Sequence, residues 1–536
     1  MEKGRILKSA GTVGSFTALS RLLGLARDVL MAGFFGTSLV MDAFVVAFTL
    51  PNLFRRLFGE GALSSAFVPV LVETRQKEGD RAAWDLVNRV LVLLAAVLTL
   101  ITAVIVLVAM TVSPEGAKAA AVFGLLPIMM PYMIFICLAA VSMGILNSFH
   151  HFAVSAFAPC ILNILWIGTL LLIVPNLGTS PEEKIRAVAW SILLAGFLQW
   201  AVQWPVLRRF GWKPFSSMSG KVDGCKLSLL PRVGEKDPKV GKILRLMGPA
   251  ALGMAVLQLN VIIDRLLALW VGGGAASALF FGERLIYFPL GIIATALGTV
   301  LLPVFSGHAS RNDPGKIRDG VTDGLRHILF VMIPAAVGLL VLATPVVQMI
   351  YEHGEFDAGS TWMTAIALQA YAPGLIVFSL AKIFVPAFYG MQDTKTPVKI
   401  GMIAVALNLV LNIAFILILP QAVKHAGLAF ATVLSSVFNM SCLALILQKR
   451  IGKPDWKRVG ATAVRSFGAA ALMASAVLFV YGLLTGLPAE ALAKAGKVGQ
   501  IVSVLASVAA GGGVYLIASV LFRAPELREF TRALRR

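Results

Sequence analysis

The chain has 536 residues, 58% of them hydrophobic and only 14% charged, with a formal net charge of +20 at pH 7. A soluble domain is typically about 45–50% apolar, so this composition assigns the protein to a bilayer. Nor does the positive charge describe a nucleic-acid surface: the basic residues fall in short loops between apolar runs rather than on one face of a polar domain.

The N-terminus places Lys3, Arg5 and Lys8 before an apolar run, as a signal peptide does. That run contains Arg21, Arg27 and Asp28 and lacks a small-residue cleavage site, so it reads as a retained first helix. A crossing needs about 20 mostly apolar residues. On that basis an all-α polytopic membrane protein with fourteen spans is expected, at 9–33, 38–72, 86–112, 117–148, 152–175, 186–207, 243–271, 276–309, 317–343, 360–391, 397–419, 425–448, 460–484 and 497–522. The second, eighth and tenth are long enough to be tilted or broken. Pro51, Pro289 and Pro373 mark the expected breaks, because proline lacks a backbone donor and clashes with the preceding turn.

Loop charge orients the spans. With a cytoplasmic N-terminus, Lys and Arg concentrate in the inside segments, as the positive-inside rule requires. The largest such segment holds Arg208, Arg209, Lys213, Lys221, Lys226, Arg232, Lys236, Lys239, Lys242 and Arg245, and the tail ends in Arg528, Arg532, Arg535 and Arg536. Both termini are therefore expected inside. The chain divides into an N-lobe at 1–209, a basic cytoplasmic loop at 210–242, a C-lobe at 243–450, and an added helix pair with a basic tail at 451–536.

A faint repeat relates the two lobes. Asp28 and Asp264, Pro69 and Pro303, Pro131 and Pro373, and Asn163 and Asn408 recur at offsets of about 235–245 residues. Six spans per lobe preserve orientation, so the repeat would be parallel, about an axis along the membrane normal.

Charges inside the spans are the main functional signal. Arg21, Arg27 and Asp28 lie in the first span, Asp42, Arg55 and Arg56 in the second, Asp264 and Arg265 in the seventh, Glu283 and Arg284 in the eighth, and Lys382 in the tenth. A charge surrounded by hydrocarbon costs several kcal/mol unless it faces a partner or a wet cavity. Cations outnumber acids here, which points to an anion as cavity occupant. Guanidinium forks bind two phosphate oxygens at once and stay charged, so converging arginines suit a pyrophosphate. The alternative is internal neutralisation, with Asp28, Asp42, Glu60, Asp264 and Glu283 pairing with the arginines. Lys382 suits either role, Arg265 beside Asp264 reads as structural, and Arg326 and Arg465 can snorkel from helix ends.

Other chemistries find no support. The four cysteines are widely separated and the six histidines lack metal-ligand spacing. No nucleophile elbow, zinc helix, nucleotide loop or polar catalytic domain interrupts the spans. An enzyme is not expected, and transport would draw on a gradient or the membrane potential.

The run Ser20-Arg21-Leu22-Leu23-Gly24-Leu25-Ala26-Arg27-Asp28, then Asp42-Ala43-Phe44 and Leu50-Pro51-Asn52-Leu53-Phe54-Arg55-Arg56-Leu57-Phe58-Gly59-Glu60-Gly61-Ala62, resembles the MurJ (MviN) lipid II flippases. Glu283-Arg284-Leu285, Gly298-Thr299-Val300-Leu301-Leu302-Pro303, and Gln392-Asp393 with Lys395-Thr396-Pro397-Val398-Lys399 fit the same family, and the resemblance covers essentially the whole chain. It implies a fold of the multidrug/oligosaccharidyl-lipid/polysaccharide exporter superfamily: two six-helix lobes in a V around a cationic cavity, with spans 13 and 14 forming a groove for a polyprenyl tail. The family's cavity arginines carry over to Arg21, Arg27, Arg55 and Arg284, with Asp28 beside them and its outer-end acid at Asp42. Tyr287 replaces a carboxylate found in some members, which puts a role for acid there in doubt. Some members bind sodium at positions matching Asp264, Asn408, Asn412 and Thr432. Asn412 stands where a second carboxylate can occur, and helix packing equally explains Asn408 and Asn412.

The resemblance implies a monomeric flippase of the bacterial cytoplasmic (inner) membrane. Its partners would be lipid II and membrane lipids, with no nucleic acid and no required cofactor. It would carry the undecaprenyl-pyrophosphate-linked peptidoglycan precursor outward by alternating access. Rival readings are a flippase for another lipid-linked oligosaccharide, a drug or cation antiporter of the same superfamily, and a membrane glycosyltransferase or scaffold. An antiporter should prefer acidic cavity residues, and a glycosyltransferase should show a polar catalytic loop.

Overall fold

A computed structural model of the chain describes residues 2–213, 238–486 and 489–534, and every regular element among them is helical. The part of the basic loop containing Lys221, Lys226, Arg232 and Lys236, and the terminal Arg535 and Arg536, lie outside the described residues. The helices run α1 (Glu2–Phe35), α2 (Leu39–Phe54), α3 (Ala62–Thr111), α4 (Ala117–Met129), α5 (Tyr132–Ser148), α6 (Ala153–Gly168), α7 (Pro181–Ala201), α8 (Trp204–Arg209) and α9 (Pro238–Val271). They continue as α10 (Ala275–Pro289), α11 (Thr295–Ser310), α12 (Pro314–Val341), α13 (Ala343–Tyr351), α14 (Ala358–Gly390), α15 (Lys395–Ile418), α16 (Lys424–Ile451), α17 (Trp456–Thr485), α18 (Ala489–Leu521) and α19 (Pro525–Leu534).

Polar caps set where several of these begin. Ser38 Oγ accepts from the Met41 amide ahead of α2, and Asp313, Asp357 and Asp455 accept from amides of Lys316, Ser360 and Arg458 to open α12, α14 and α17. Each bond satisfies a donor that the first helical turn leaves open. Within α3 the backbone turns at Gly79, whose φ of 87° and ψ of 176° leave the helix. Positive φ is easy only for glycine, so the element is two helices meeting at this residue.

Nine helices among the described residues are long and apolar enough to cross a membrane, ten if α4 and α5, bent by 48° at Pro131, form one span. The other four expected spans fall on α1, on α2 with the start of α3, on α9, and on α10 with α11. These segments hold Arg21, Arg27 and Asp28; Asp42, Arg55 and Arg56; Asp264 and Arg265; and Glu283 and Arg284. Length and apolarity therefore support up to ten crossings, and fourteen requires counting the charge-bearing segments as well. Elsewhere the apolar exterior is explicit: Leu107 and Met110 of α3, Val464 and Phe479 of α17, and Val520 and Leu521 of α18 are all more than half exposed. Such surface is tolerated where lipid covers it.

The breaks are partly as expected. After Pro51 the chain runs as a π-helix over Arg55–Gly61, and after Pro289 as another over Leu290–Ala294. The expected break at Pro373 is absent: α14 continues through it from Ala358 to Gly390. One missing amide costs a single hydrogen bond, and the buried neighbours Ala372, Gly374 and Leu375 keep the helix packed across it. Pro131, its counterpart in the repeat, does sit at a bend, so the two positions behave differently.

The chain forms two compact units, Met1–Arg265 and Leu266–Arg536. The division falls inside α9, whereas the lobes read from the repeat divide at the basic loop. In the first unit α1 packs on α6, α2 on α4, and α5 on α3 and α7. Gly196 permits the last contact, since a Cβ there would meet the Tyr132 ring at 2.5 Å. In the second unit α14 packs on α10, α11, α12 and α16, α15 on α16, and α17 on α12 and α18.

Candidate functional site

The first unit builds a seat for one buried guanidinium. Arg27 is 7% exposed and Asp28 4%. Arg27 Nε and Nη2 donate to Asp28 Oδ1 at 2.9 and 2.7 Å, while Nη1 donates to Asn163 Oδ1 on α6 at 2.9 Å. The guanidinium carbon lies 4.4 Å from the centre of the Trp166 ring, a cation–π contact. Asn163 is itself held, its Nδ2 donating to the Ser20 carbonyl at 3.0 Å. Trp166 is fixed by its Nε1 on Met31 Sδ and by edge contacts with Phe44 and Phe48 of α2. Three helices therefore position one side chain.

Arg21, two turns nearer the N-terminus, is exposed. It shares a helix face with Asp28 but lies beyond the packed seat. Asp42 is 1% exposed in the first turn of α2, where the positive end of the helix dipole favours a carboxylate.

Arg55 opens the π-helix that follows Pro51. It is half-buried, and its Nε donates to Asn52 Oδ1 at 3.3 Å. A π turn widens the backbone and re-aims side chains, and such turns recur at functional sites. Arg56 is exposed, with Nη1 3.4 Å from Gln258 Oε1. The Glu60 side chain lies outside the described residues.

In the second unit Arg284 is half-buried on α10, with its guanidinium carbon 4.6 Å from the centre of the Phe280 ring one turn earlier. Close packing of Gly282 on the α14 backbone at Thr364 and Leu368 fixes this turn. Glu283 is half-buried and Tyr287 exposed. Lys382 projects from α14 and is exposed.

The positions carried over for sodium divide between the units. Asp264 lies in the first, where Asn260 Nδ2 donates to it at 3.3 Å. In the second, Asn412 Nδ2 donates to Asn408 Oδ1 at 2.9 Å, Asn408 Nδ2 to Thr432 Oγ1 at 3.3 Å, and Thr432 Oγ1 to the Leu428 carbonyl at 3.1 Å. This neutral chain ties α15 to α16. It uses oxygens that an ion would need, as a packing network does.

Two features escaped sequence reasoning. Trp166 and Asn163 were not linked to Arg27, because 136 residues separate the hydrogen-bonded Asn163 from it. Arg326 does not snorkel: it is 7% exposed and ion-paired with Glu526, because α19 folds back onto α12. The Gln392-Asp393 motif also gains a physical role. Asp393 Oδ1 and Oδ2 accept from the Thr396 amide and hydroxyl at 3.0 and 2.6 Å, and Arg450 Nη1 lies 2.6 Å from Oδ2. Burial pushes this carboxyl up, but the Thr396 bonds and Arg450 outweigh it and hold it below its ordinary value.

A family model described as "Lipid II flippase MurJ" matches residues 31–493. The lipid II flippase MurJ of Burkholderia cenocepacia is 35% identical over 458 residues, covering 83% of this chain and 85% of that protein. The probable lipid II flippase MurJ of Vibrio cholerae is 36% identical over 455 residues, covering 82% of each. Among solved structures, "Lipid II flippase MurJ, inward closed conformation" superposes with a TM-score of 0.74 at 25% identity, covering 95% of this chain and 98% of that one. An inward-facing multidrug transporter of the MATE family matches at 0.65 and 15% identity, over 82% of this chain and 98% of its own, and shares the fold alone.

Proposed function

This chain belongs to the lipid II flippase MurJ family, and from that premise we propose that it moves the undecaprenyl-pyrophosphate-linked peptidoglycan precursor from the inner to the outer leaflet of the cytoplasmic membrane. It is a transporter and not an enzyme: no bond of the lipid changes. The supporting observation is the family match over residues 31–493, joined to a set of guanidinium groups retained in otherwise apolar helices.

The proposed mechanism is alternating access through an arginine-lined cavity. Arg21, Arg27, Arg55 and Arg284 act on one diphosphate, whose oxygens accept paired hydrogen bonds from guanidinium forks. Asp28 and Asn163 orient Arg27, and Asp42 anchors the start of α2. Because Asp28 already occupies Nε and Nη2 of Arg27, the diphosphate takes this guanidinium by competing with Asp28 rather than by filling an idle group. An inside-negative potential assists outward movement of anions by about 2.3 kcal/mol per net charge per 100 mV. The reading includes fourteen crossings, both termini in the cytoplasm, a monomer, and a polyprenyl groove on α17 and α18. The reading assigns sodium no step of its own; Asp264, Asn408, Asn412 and Thr432 are the positions that would hold it. The arginine excess disfavours a drug or cation antiporter, while another lipid-linked oligosaccharide would use the same cations.

The test is depletion of the protein in its native host, with outer-leaflet lipid II read by a periplasm-confined toxin that cleaves it. Cleavage should collapse on depletion. Unchanged cleavage in a host without a second flippase would show that the substrate is a different lipid-linked glycan.

A further inference from the structure

Two ion pairs tie α3, just ahead of its turn at Gly79, to the first turns of α9. Lys242 Nζ donates to Glu73 Oε2 at 2.7 Å, and Lys239 Nζ donates to Glu78 Oε2. Loop charge reads this end of both helices as cytoplasmic. Farther along the same segments Arg56 Nη1 lies 3.4 Å from Gln258 Oε1. From Arg56 to Glu73 the numbering rises while from Gln258 to Lys242 it falls, so the two segments run side by side and antiparallel. All of these residues lie in the first compact unit. In the repeat, however, the second span belongs to the N-lobe and the seventh opens the C-lobe. The seam between them is one that alternating access has to open.

The pairs are built to part. Their four side chains are between 30% and 52% exposed, and exposed ion pairs are weak and screened by salt. Glu73 also accepts from Lys77 Nζ at 2.8 Å, one turn on in α3, so it keeps a cation when α9 leaves. The pairs Arg27–Asp28 and Arg326–Glu526 are of the other kind, buried, where separation would strand a charge.

The backbone beside the pairs can turn. Gly79 has a φ of 87°, and a Cβ there would meet nothing within 4 Å, so conformation rather than space calls for glycine. Across this turn Arg75 Nε donates to Asp80 Oδ1 at 2.7 Å, and its guanidinium carbon lies 4.1 Å from the centre of the Phe149 ring. Arg75 thus fastens the end of α3 to the N-lobe. Glu73 and Glu78 fasten it across the seam.

We propose that Glu73, Glu78, Lys239 and Lys242 form a charged latch that closes the cytoplasmic end of the seam between the second and seventh spans and parts in every transport cycle. The latch rests on the alternating-access reading. Closed, it bars the headgroup from the cytoplasmic side; parted, it admits it.

The test is pulsed electron resonance on the full chain in lipid nanodiscs, cysteine-free except for spin labels at Gln76→Cys and Gly241→Cys. Both positions are exposed and leave the four latch charges in place. Two distances should appear, a short one for the closed latch and a longer one for the parted latch. Glu73→Lys/Glu78→Lys should raise the longer population relative to the shorter by about five-fold or more. Adding Lys239→Glu/Lys242→Glu should restore the short distance. Melting temperatures establish that each variant is folded, and Glu73→Gln/Glu78→Gln replaces the reversal if that fails to fold. A single distance, the same in every folded variant, would overturn the latch.

A second arm crosslinks Glu78→Cys to Lys239→Cys in cells depleted of the native protein. Toxin cleavage of outer-leaflet lipid II should fall about five-fold or more on crosslinking and return with reductant. Unchanged cleavage by the crosslinked protein would also overturn the latch. The distance measurement uses no lipid-linked substrate. Two distances that respond to the charge swap therefore support the latch even where wild type fails to restore cleavage, and that failure strikes the lipid II reading alone.

Discussion

Arg27 and Asp28, neighbours in sequence, form a buried ion pair at 2.7 Å whose guanidinium also donates to Asn163 and stacks on Trp166. The pair is a preset orientation for Arg27 and a standing competitor for any anion it binds. Removing one partner of a buried pair typically costs about 3–5 kcal/mol, because the other charge is left behind. Arg27→Ala should therefore lower the melting temperature of the detergent-solubilised protein and abolish transport. Arg27→Ala/Asp28→Asn should recover most of the stability while transport stays lost. Recovery of both would mean that Arg27 serves structure alone.

Asn163 is the third part of this seat. Asn163→Ala removes the hydrogen bonds to Arg27 and to the Ser20 carbonyl, and a bond to a charged group is worth about 1.5–3 kcal/mol. Asn163→Asp keeps the acceptor and adds a second carboxylate beside Arg27. Both should reduce transport and lose the bond to the Ser20 carbonyl, and the alanine variant, which also loses the bond to Arg27, should be the less stable of the two in a thermal unfolding assay. A fully active Asn163→Ala protein would remove Asn163 from the proposed machinery.

Arg284 rests on Phe280, a contact worth about 0.5–2 kcal/mol when partly desolvated. Phe280→Leu should lower transport several-fold with the fold intact, by loosening the guanidinium. Arg284→Lys should recover little, since an ammonium offers no planar fork. Transport rates in cells rescued by each variant at matched expression decide this.

Asp393 makes a pH prediction outside the spans. Its carboxyl is held below the ordinary 3.8 against the upward pull of burial, by Thr396 and Arg450. A depressed carboxylate contributes stability above its unfolded pKa and loses it as pH falls through the folded value. Wild type should therefore be more stable than Asp393→Asn at neutral pH, by about 1 kcal/mol if the bonds act as a helix cap. The gap should close below pH 3.8. A gap that does not narrow at all as pH falls below 3.8 would assign the effect to something other than charge.

Much of this was legible in the residues. Long apolar runs and the irregular backbone near Pro51 and Pro289 are local features that a chain advertises. Pro373 was misread because proline removes only one donor, and tertiary packing decides whether the helix breaks. The candidate arginines were visible as charges among apolar neighbours. Their partners were not: Asn163 and Trp166 come from a helix over a hundred residues away, and nothing in their local pattern points to Arg27. Glu526 was hidden for the opposite reason. It lies in a short polar tail that looks solvated until α19 docks on α12.

The most direct test of the central claim is rescue of outer-leaflet lipid II, read by toxin cleavage, in cells depleted of the native protein. Wild type should restore cleavage. Arg21→Ala, Arg27→Ala, Arg55→Ala and Arg284→Ala, at matched membrane levels, should each restore little. If the variant with all four arginines replaced, shown to be folded, restores cleavage to the wild-type level, an arginine-lined route for the diphosphate is wrong.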